Sequence, residues 1–518
     1  MSTRFCHWFA SGIARACLCG VAMAGAGLAG CEVGPNYHRP QEKVQQATWV
    51  SPPTTQASVT VQEPIQVEQW WTTFNDPTLN TLIKRAALQN LDIQSAAERI
   101  RQARATVGVA TAGFFPTVNS AGSYSRSFSA AGGSTVVVTN SGVGTGTTTG
   151  GTSTTTSTKR VGPKPQDFFQ AGFDASWELD VFGGVRRSIE AANYTLEATE
   201  EDRRDVMITV MGEVATDYIA LRGFQQEIAI AQENLSTQVS NADIARKKQQ
   251  LGTTTQLDIA NADAEVFTTR SQIATFVSSE QQEIYALGVL LGQEPTTLLD
   301  ELSPVGKIPI APPVVPVGLP SELLRRRPDI RRAERQLAAA TAEVGVAVAQ
   351  LFPQFSLTGS LTLQGNRFEA LSNWGNRFWS FGPSVTWPVF DAGRIWSNIE
   401  IEKSLRSQAY LTYRSTVLTA LQDVETQLTA YAQEQQRRAA LADAVAANQK
   451  AVEIATKRYQ QGGLTDFLNV LVAEQSLFAT QDALVQSNRN VGTDLVALYK
   501  ALGGGWQIGE PSTTQPVK

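Results

Sequence analysis

Apolar and polar residues alternate with a period of two in three stretches of this chain. Over 169–179, Phe169, Ala171, Phe173, Ala175, Trp177 and Leu179 alternate with Gln170, Gly172, Asp174, Ser176 and Glu178. Over 355–363, Phe355, Leu357, Gly359, Leu361 and Leu363 alternate with Ser356, Thr358, Ser360 and Thr362. Over 379–389, Trp379, Phe381, Val385, Trp387 and Val389 alternate with Ser380, Gly382, Ser384 and Thr386. A weaker stretch follows Pro116, with Val118, Tyr124 and Phe128 on one face. The pattern predicts strands at about 116–128, 167–181, 353–363 and 377–390. About ten residues, apolar on one face and small or polar on the other, is the pattern of a lipid-facing barrel strand. One such strand reads equally well as part of a half-buried soluble sheet. Four together, with Trp177, Trp379 and Trp387 suited to a membrane interface, favour the barrel.

The other segments carry helical spacing. Residues 186–251 and 394–461 contain no proline. At about 1.5 Å per residue each can reach roughly 100 Å. Met207, Val214, Leu221, Ile228, Leu235 and Ala242 recur at heptad spacing, as do Val417, Val424, Tyr431, Val445 and Val452 around Arg438. Shorter helices are expected at about 77–113, 255–291, 321–351 and 466–502. Gly252 and the pair Gly462-Gly463 end the long helices and turn each back on a shorter one.

The chain is one unit written twice. Leu91-Asp92-Ile93 and Phe114-Phe115-Pro116 match Pro328-Asp329-Ile330 and Leu351-Phe352-Pro353 at an offset of 237. Farther on, Gly252 and Leu257-Asp258-Ile259 match Gly463 and Leu468-Asn469-Val470 at an offset of 211. The first copy carries an extra Gly-, Ser- and Thr-rich segment, Ser129 to Pro165, which reads as a flexible loop. We expect a linker over 31–75, repeats over 76–303 and 321–502, an extended Pro-rich connection over 304–320 and a tail over 503–518. The fold class is α+β, mostly α, with two β-β-α repeats. A barrel in lipid needs about eight strands or more. One chain supplies four, so copies must associate; two would give eight and three would give twelve.

Composition adds an address. The chain has 518 residues, 18% of them charged, with a mean hydropathy of −0.15. No run of 18 apolar residues follows residue 30. Residues 1–30 read as a secretory signal, with Arg4 and His7 before an apolar run from Ala16 to Ala29. Leu28-Ala29-Gly30-Cys31 resembles the bacterial lipobox, in which the cysteine thiol is lipidated. Cys6, Cys17 and Cys19 fall in the removed segment, leaving Cys31 as lipid attachment site and no disulfide within a chain. Residue 32 is Glu, which by resemblance to enteric lipoproteins directs the product to the outer membrane. Losing two arginines with the signal takes the net charge from −5 to −7, which disfavours nucleic acid.

Three motifs carry a family resemblance. They are Trp70-Trp71-Thr72-Thr73-Phe74-Asn75-Asp76-Pro77, Leu323-Leu324-Arg325-Arg326-Arg327-Pro328-Asp329-Ile330, and Gly463-Leu464-Thr465-Asp466-Phe467-Leu468-Asn469-Val470-Leu471. They resemble outer membrane efflux lipoproteins, the NodT branch of the TolC family, over nearly the whole mature chain. The resemblance implies a homotrimer with a 12-stranded barrel, a long periplasmic helical barrel and an equatorial domain. It also implies a passive conduit for drugs or other small molecules, served by a periplasmic adaptor and an inner membrane transporter of RND type. It assigns a periplasmic gate to Asp258, Asp466, Leu468, Asn469 and Val472. Adaptor contact would fall on the tips, at Leu251, Gly252, Thr253, Gly462, Gly463 and Leu464. Better-known channels often ring the aperture with two aspartates on the second tip helix. Asn469 and Val472 stand at those positions while the first tip keeps Asp258, which leaves two readings, an acidic gate or an apolar seal that includes Leu468. Asp76-Pro77 and Pro328 also suit plain helix starts. Arg325 to Arg327 reads either as a phosphate site or, on an acidic chain, as partners for carboxylates.

Two other classes of function compete. An enzyme would need chemistry that the mature chain lacks: its one histidine is His38, and no Ser/His/Asp set, metal site or phosphate loop is legible. No cofactor or metal is expected. A periplasmic coiled-coil scaffold or adaptor would explain the helices but not the dyad strands. Cargo is not legible, although only Met207 and Met211 remain as mature methionines, which disfavours metal export.

Overall fold

The computed structural model describes residues 32–40, 49, 58–60, 68–128, 135–138, 157–160, 165–312, 315–317, 325–460 and 466–509. Residues 1–31 and 461–465, which include the expected signal segment, Cys31 and Gly462-Gly463, lie outside them. In chain order the elements are β1 (Ser58–Thr60), a 3-10 turn (Trp70–Phe74), α1 (Pro77–Gln89), α2 (Leu91–Ala112), β2 (Thr117–Ser127), β3 (Thr135–Val138), β4 (Ser157–Arg160) and β5 (Gln166–Leu179). There follow α3 (Gly184–Gln250), α4 (Gln256–Leu290), α5 (Leu299–Leu302), β6 (Val315–Val317), α6 (Pro328–Ala349), β7 (Gln354–Gly365), β8 (Arg377–Thr386), α7 (Arg394–Gln460) and α8 (Phe467–Ala501). The repeat is metrical: α3 and α7 each have 67 residues, and α4 and α8 each have 35. Both long helices start on an aspartate. Asp180 accepts from the backbone N–H of Val185 and Arg186, and Asp391 from those of Gly393 and Ile395, so orphan donors of each first turn are satisfied.

The described chain forms two compact units, and they cut across the repeats. The first takes residues 108–189 and 343–400 with the segment up to Pro35. Its centre is a four-stranded sheet in the order β2-β5-β7-β8, antiparallel throughout. Each repeat contributes one hairpin, and β5 against β7 joins them.

The second unit takes residues 36–107, 190–342 and 401–518 and holds the large core. The motif that opens the first repeat is structural here. Trp70 and Trp71 are buried, and Trp70 stacks on Tyr499 with ring centroids 5.6 Å apart. Asp76 caps α1 by accepting from the N–H of Thr78 and Leu79, with Pro77 in the first turn, and its other oxygen accepts from the Tyr218 hydroxyl at 2.9 Å. Arg327, from the second motif, donates to Asp329 and Asp423 and to the carbonyl of Ala501. Carboxylates thus occupy it, as the acidic charge balance favours. Arg331, Arg332 and Arg335 of α6 pair with Glu201, Asp202 and Glu197 of α3, tying the two repeats together.

The structure departs from the sequence pattern in four places. The single helix expected over 77–113 is two. Asn90 divides them: its side-chain oxygen accepts from the N–H of Asp92 and Ile93 and its amide donates to the Leu290 carbonyl. β8 stops at Thr386 instead of about 390, because Pro388 has no N–H for the ladder. The segment 129–165 is not wholly loop: β3 and β4 pair antiparallel within it, and its other residues up to 164 lie outside the described set. The Pro-rich connection places Val315–Val317 in a parallel pairing with Ser58–Thr60.

Candidate functional site

The sheet has two unlike faces, and among the described residues neither is covered by a second layer. On one face Phe173, Leu361, Trp379, Phe381 and Val385 are exposed. Cross-strand register stacks them into rows: Phe173 faces Leu361, which faces Trp379. An apolar face of this size marks a contact with lipid or with another protein. The other face carries rows of hydroxyls with Asp174 and Glu178, interrupted by exposed Phe168 and Phe378. The Ser356 and Ser384 hydroxyls lie 2.7 Å apart, and those of Ser360 and Ser380 2.8 Å apart. The strands have 10 to 14 residues, which suits a tilted bilayer crossing. At the end where the strands join the helices, the Trp177 indole donates to the Phe114 carbonyl at 2.8 Å and the Trp387 indole to the Leu351 carbonyl at 3.0 Å. Both tryptophans therefore carry a satisfied polar edge on an apolar ring, as interfacial aromatics do. No described helix is long and apolar enough to cross a membrane.

The tips lie in the other unit. The first is tightly made. Gly252 has φ 73° with no atom within 4 Å of an added Cβ, so backbone conformation rather than space selects glycine. Its N–H bonds to Gln249 and the N–H of Thr253 to Lys248, closing the end of α3. α4 opens with a capping box in which Thr255 and Asp258 bond reciprocally. Asp258 also accepts from the Thr254 hydroxyl at 2.7 Å. Partial burial raises its pKa, but the hydrogen bonds from Thr255 and Thr254 outweigh that and hold it below the usual carboxylate range. Asp258 thus holds its own turn rather than a neighbouring helix. Leu251 and Leu257 point outward at 78% and 67% exposure.

The second tip is built differently. Residues 461–465, between α7 and α8, lie outside the described residues. Asp466 stands at the N-cap of α8 without a side-chain capping bond, and Asn469 replaces the Asp of the box. Leu468 and Val472, one turn apart, are exposed at 57% and 52%. Asn469 beside them is exposed as well. Gly462, Gly463 and Leu464 lie outside the described residues.

Between the tips sits a polar cluster that the heptad pattern did not reveal. Glu474 of α8 is buried and accepts from the Asn241 amide of α3, while Gln475 donates to Glu265 of α4 at 2.9 Å. Lys248 lies 3.6 Å from the centre of the Tyr459 ring, which packs tilted against Phe467 with centroids 5.4 Å apart. The one available signal was a glutamate among Val470, Leu471 and Leu477.

A family model described as outer membrane efflux protein matches residues 82–293 and 319–504. The chain belongs to that family. Nodulation protein T of Rhizobium leguminosarum bv. trifolii is 30% identical over 480 residues, 92% of this chain and 95% of the relative. The solvent efflux pump outer membrane protein SrpC of Pseudomonas putida is 31% identical over 495 residues, 93% of this chain and 97% of the relative. The solved outer-membrane channel OprN matches with a TM-score of 0.78 at 32% identity, covering 92% of this chain and 100% of that one. This protein is thus an outer membrane efflux channel that extends into the periplasm.

In this channel Glu474 is a buried carboxyl near the tips that accepts a hydrogen bond from Asn241. Burial pushes its pKa up to about 7, Asn241 opposing and Glu265 reinforcing the rise. A carboxyl raised above its unfolded value stabilises the fold fully below that value, and the contribution is lost as pH rises through about 7. The helical region should therefore resist thermal unfolding better at about pH 5.5 than at about pH 8, with Glu474 contributing on the order of 2 kcal/mol. Glu474→Gln is expected to weaken that pH dependence. A melting midpoint with the same pH dependence in wild type and variant would show that Glu474 does not titrate in this range.

Proposed function

We propose that three copies of this chain close their sheets into a 12-stranded barrel that serves as the passive outer conduit of a tripartite efflux pump. The carrying observation is a four-stranded antiparallel sheet with one exposed apolar face and, among the described residues, two edge strands whose outer edges are unpaired. Such edges leave backbone groups without partners in lipid, so the sheet must continue into other copies. In this reading the apolar face meets lipid and the hydroxylated face lines the conduit. The tips meet a periplasmic adaptor through Leu251, Gly252, Thr253, Gly462, Gly463 and Leu464, and an inner membrane transporter supplies the solute. Leu468, Asn469 and Val472 close the aperture from the second tip, with Asp466 beside them and Asp258 stiffening the first. The segment 129–165 lies on the outer side. Lipid on Cys31 anchors each chain. The cargo is a drug or another small molecule; SrpC carries the name of a solvent pump, but the inner membrane partner would choose the substrate here.

Outer membrane fractionation with gels run before and after heating tests this reading. The folded trimer should migrate faster than expected for its mass without heat and enter the monomer position after boiling. A periplasmic, heat-insensitive monomer would reject it. Cys31→Ser should abolish labelling by palmitate and slow membrane assembly. Label persisting in that variant would move the anchor elsewhere.

A further inference from the structure

The repeat extends to the register of every strand. Thr117 pairs with Ser176 in the first hairpin and Gln354 with Thr386 in the second. Gln354 lies 237 residues after Thr117, and Thr386 lies 210 after Ser176. The same two shifts carry the bond from Trp177 to Phe114 onto the bond from Trp387 to Leu351. The shift of 210 also carries Gly183, φ 81°, onto Gly393, φ 84°, each just ahead of its long helix. The two hairpins are therefore one object used twice, without a register slip.

The chain joins that object to itself once, where β5 of the first copy meets β7 of the second. Among the described residues, the outer edges of β2 and β8 are unpaired. Direction alternates along the sheet, so β8 and the β2 of another copy meet antiparallel, as β5 and β7 do. A ring of copies thus repeats the internal junction at each boundary between chains. The register there follows by moving the β5 residue forward 210 and the β7 residue back 237. Asp174 opposite Ser360 becomes Ser384 opposite Ser123; Gly172 opposite Thr362 becomes Gly382 opposite Ser125. Phe169 opposite Gly365 becomes Trp379 opposite Phe128.

An independent property agrees. In this register the hydroxylated face of β8, with Ser380 and Ser384, continues into Ser127 and Ser123 of β2. A slip of one residue would set that row beside Arg126 and Gly122 or Tyr124 and put apolar side chains into the conduit. Only even slips keep the faces matched, and the smallest, by two residues, are the alternatives to exclude.

We propose that neighbouring copies join through β8 of one and β2 of the next, antiparallel, with Ser384 opposite Ser123 and Trp379 opposite Phe128. This rests on the barrel reading above and specifies its seam. Residues directly opposite in an antiparallel pair have Cα atoms about 4.5–5.5 Å apart, within disulfide reach, while a two-residue offset is beyond it. The full-length chain carrying Ser384→Cys and Ser123→Cys should give covalent dimers and trimers on denaturing, non-reducing gels after mild oxidation in the membrane. Ser384→Cys with Ala121→Cys, or with Ser125→Cys, should give at least about tenfold less, because neither pair meets that geometry. Ser380→Cys with Ser127→Cys should cross-link like the first pair and keeps the test open if one double variant assembles poorly. Trimers on native gels that cross-link only through an offset pair, or through none, would overturn the register and leave the barrel standing. A wild-type chain that stays monomeric in the membrane would overturn both.

Discussion

Leu361→Arg is expected to remove the heat-modifiable trimer from the outer membrane, while Ser360→Arg, one residue away, leaves it in place. Leu361 lies well inside β7, with Phe173 on one side and Trp379 on the other, all on the apolar face. A guanidinium facing lipid near the midplane costs roughly 2–4 kcal/mol per chain, and less toward either interface. Symmetry repeats the substitution in every copy, so a trimer bears about three times that. Stabilities of folded domains are only about 5–15 kcal/mol, so assembly should fail or the chain should be degraded. Ser360 points to the other face, where its hydroxyl meets Ser380. Losing that bond costs about 1 kcal/mol, and the new charge stands in water. Equal loss of trimer in both variants would mean that the faces are not divided between lipid and water.

The second large effect is expected at the aperture. Leu468 and Val472 expose apolar side chains one turn apart at the start of α8. Burying a leucine side chain is worth roughly 1.5–3 kcal/mol, so three copies meeting at an axis would gain enough to hold a pore shut. At the second tip the Asp466 side chain makes no capping bond to α8, unlike the capping box that opens α4. Leu468→Ser should therefore shift the channel toward its open form and sensitise cells to antibiotics as large as vancomycin. Asp258→Ala acts differently. It removes the capping box of α4 at a cost of about 1 kcal/mol, loosening the first tip without unsealing the pore. Combined with Leu468→Ser it should deepen the sensitivity. A double variant with normal trimer yield and unchanged sensitivity would leave these residues as packing for the hairpin and the tips as docking surfaces only.

Helix positions were legible because proline-free stretches over 60 residues long have few alternatives, and a glycine marks the end of α3. The strands were legible where apolar and small residues alternate strictly. What was lost depends on single polar atoms. Asn90 divides a helix because its side chain reaches Asp92, Ile93 and Leu290 at once, and Leu290 is remote in sequence. Beyond Thr386 the alternation runs on through Trp387 and Val389, so pattern alone overran a strand that Pro388 stops. At the tips, sequence offered the residues Asp258 and Leu468 but not their difference in role. Asp258 is committed to Thr254 and Thr255, whereas the Leu468 side chain is left outward. Glu474 was invisible as a partner of Asn241, because the two lie 233 residues apart.

Single-channel recording of the purified chain in planar lipid bilayers separates a conduit from a scaffold. Wild-type trimers should give discrete current steps and Leu468→Ser trimers steps several-fold larger, with no transporter or adaptor present. Trimers that insert into the bilayer yet pass no current in either form would contradict the conduit and make the chain an anchored scaffold.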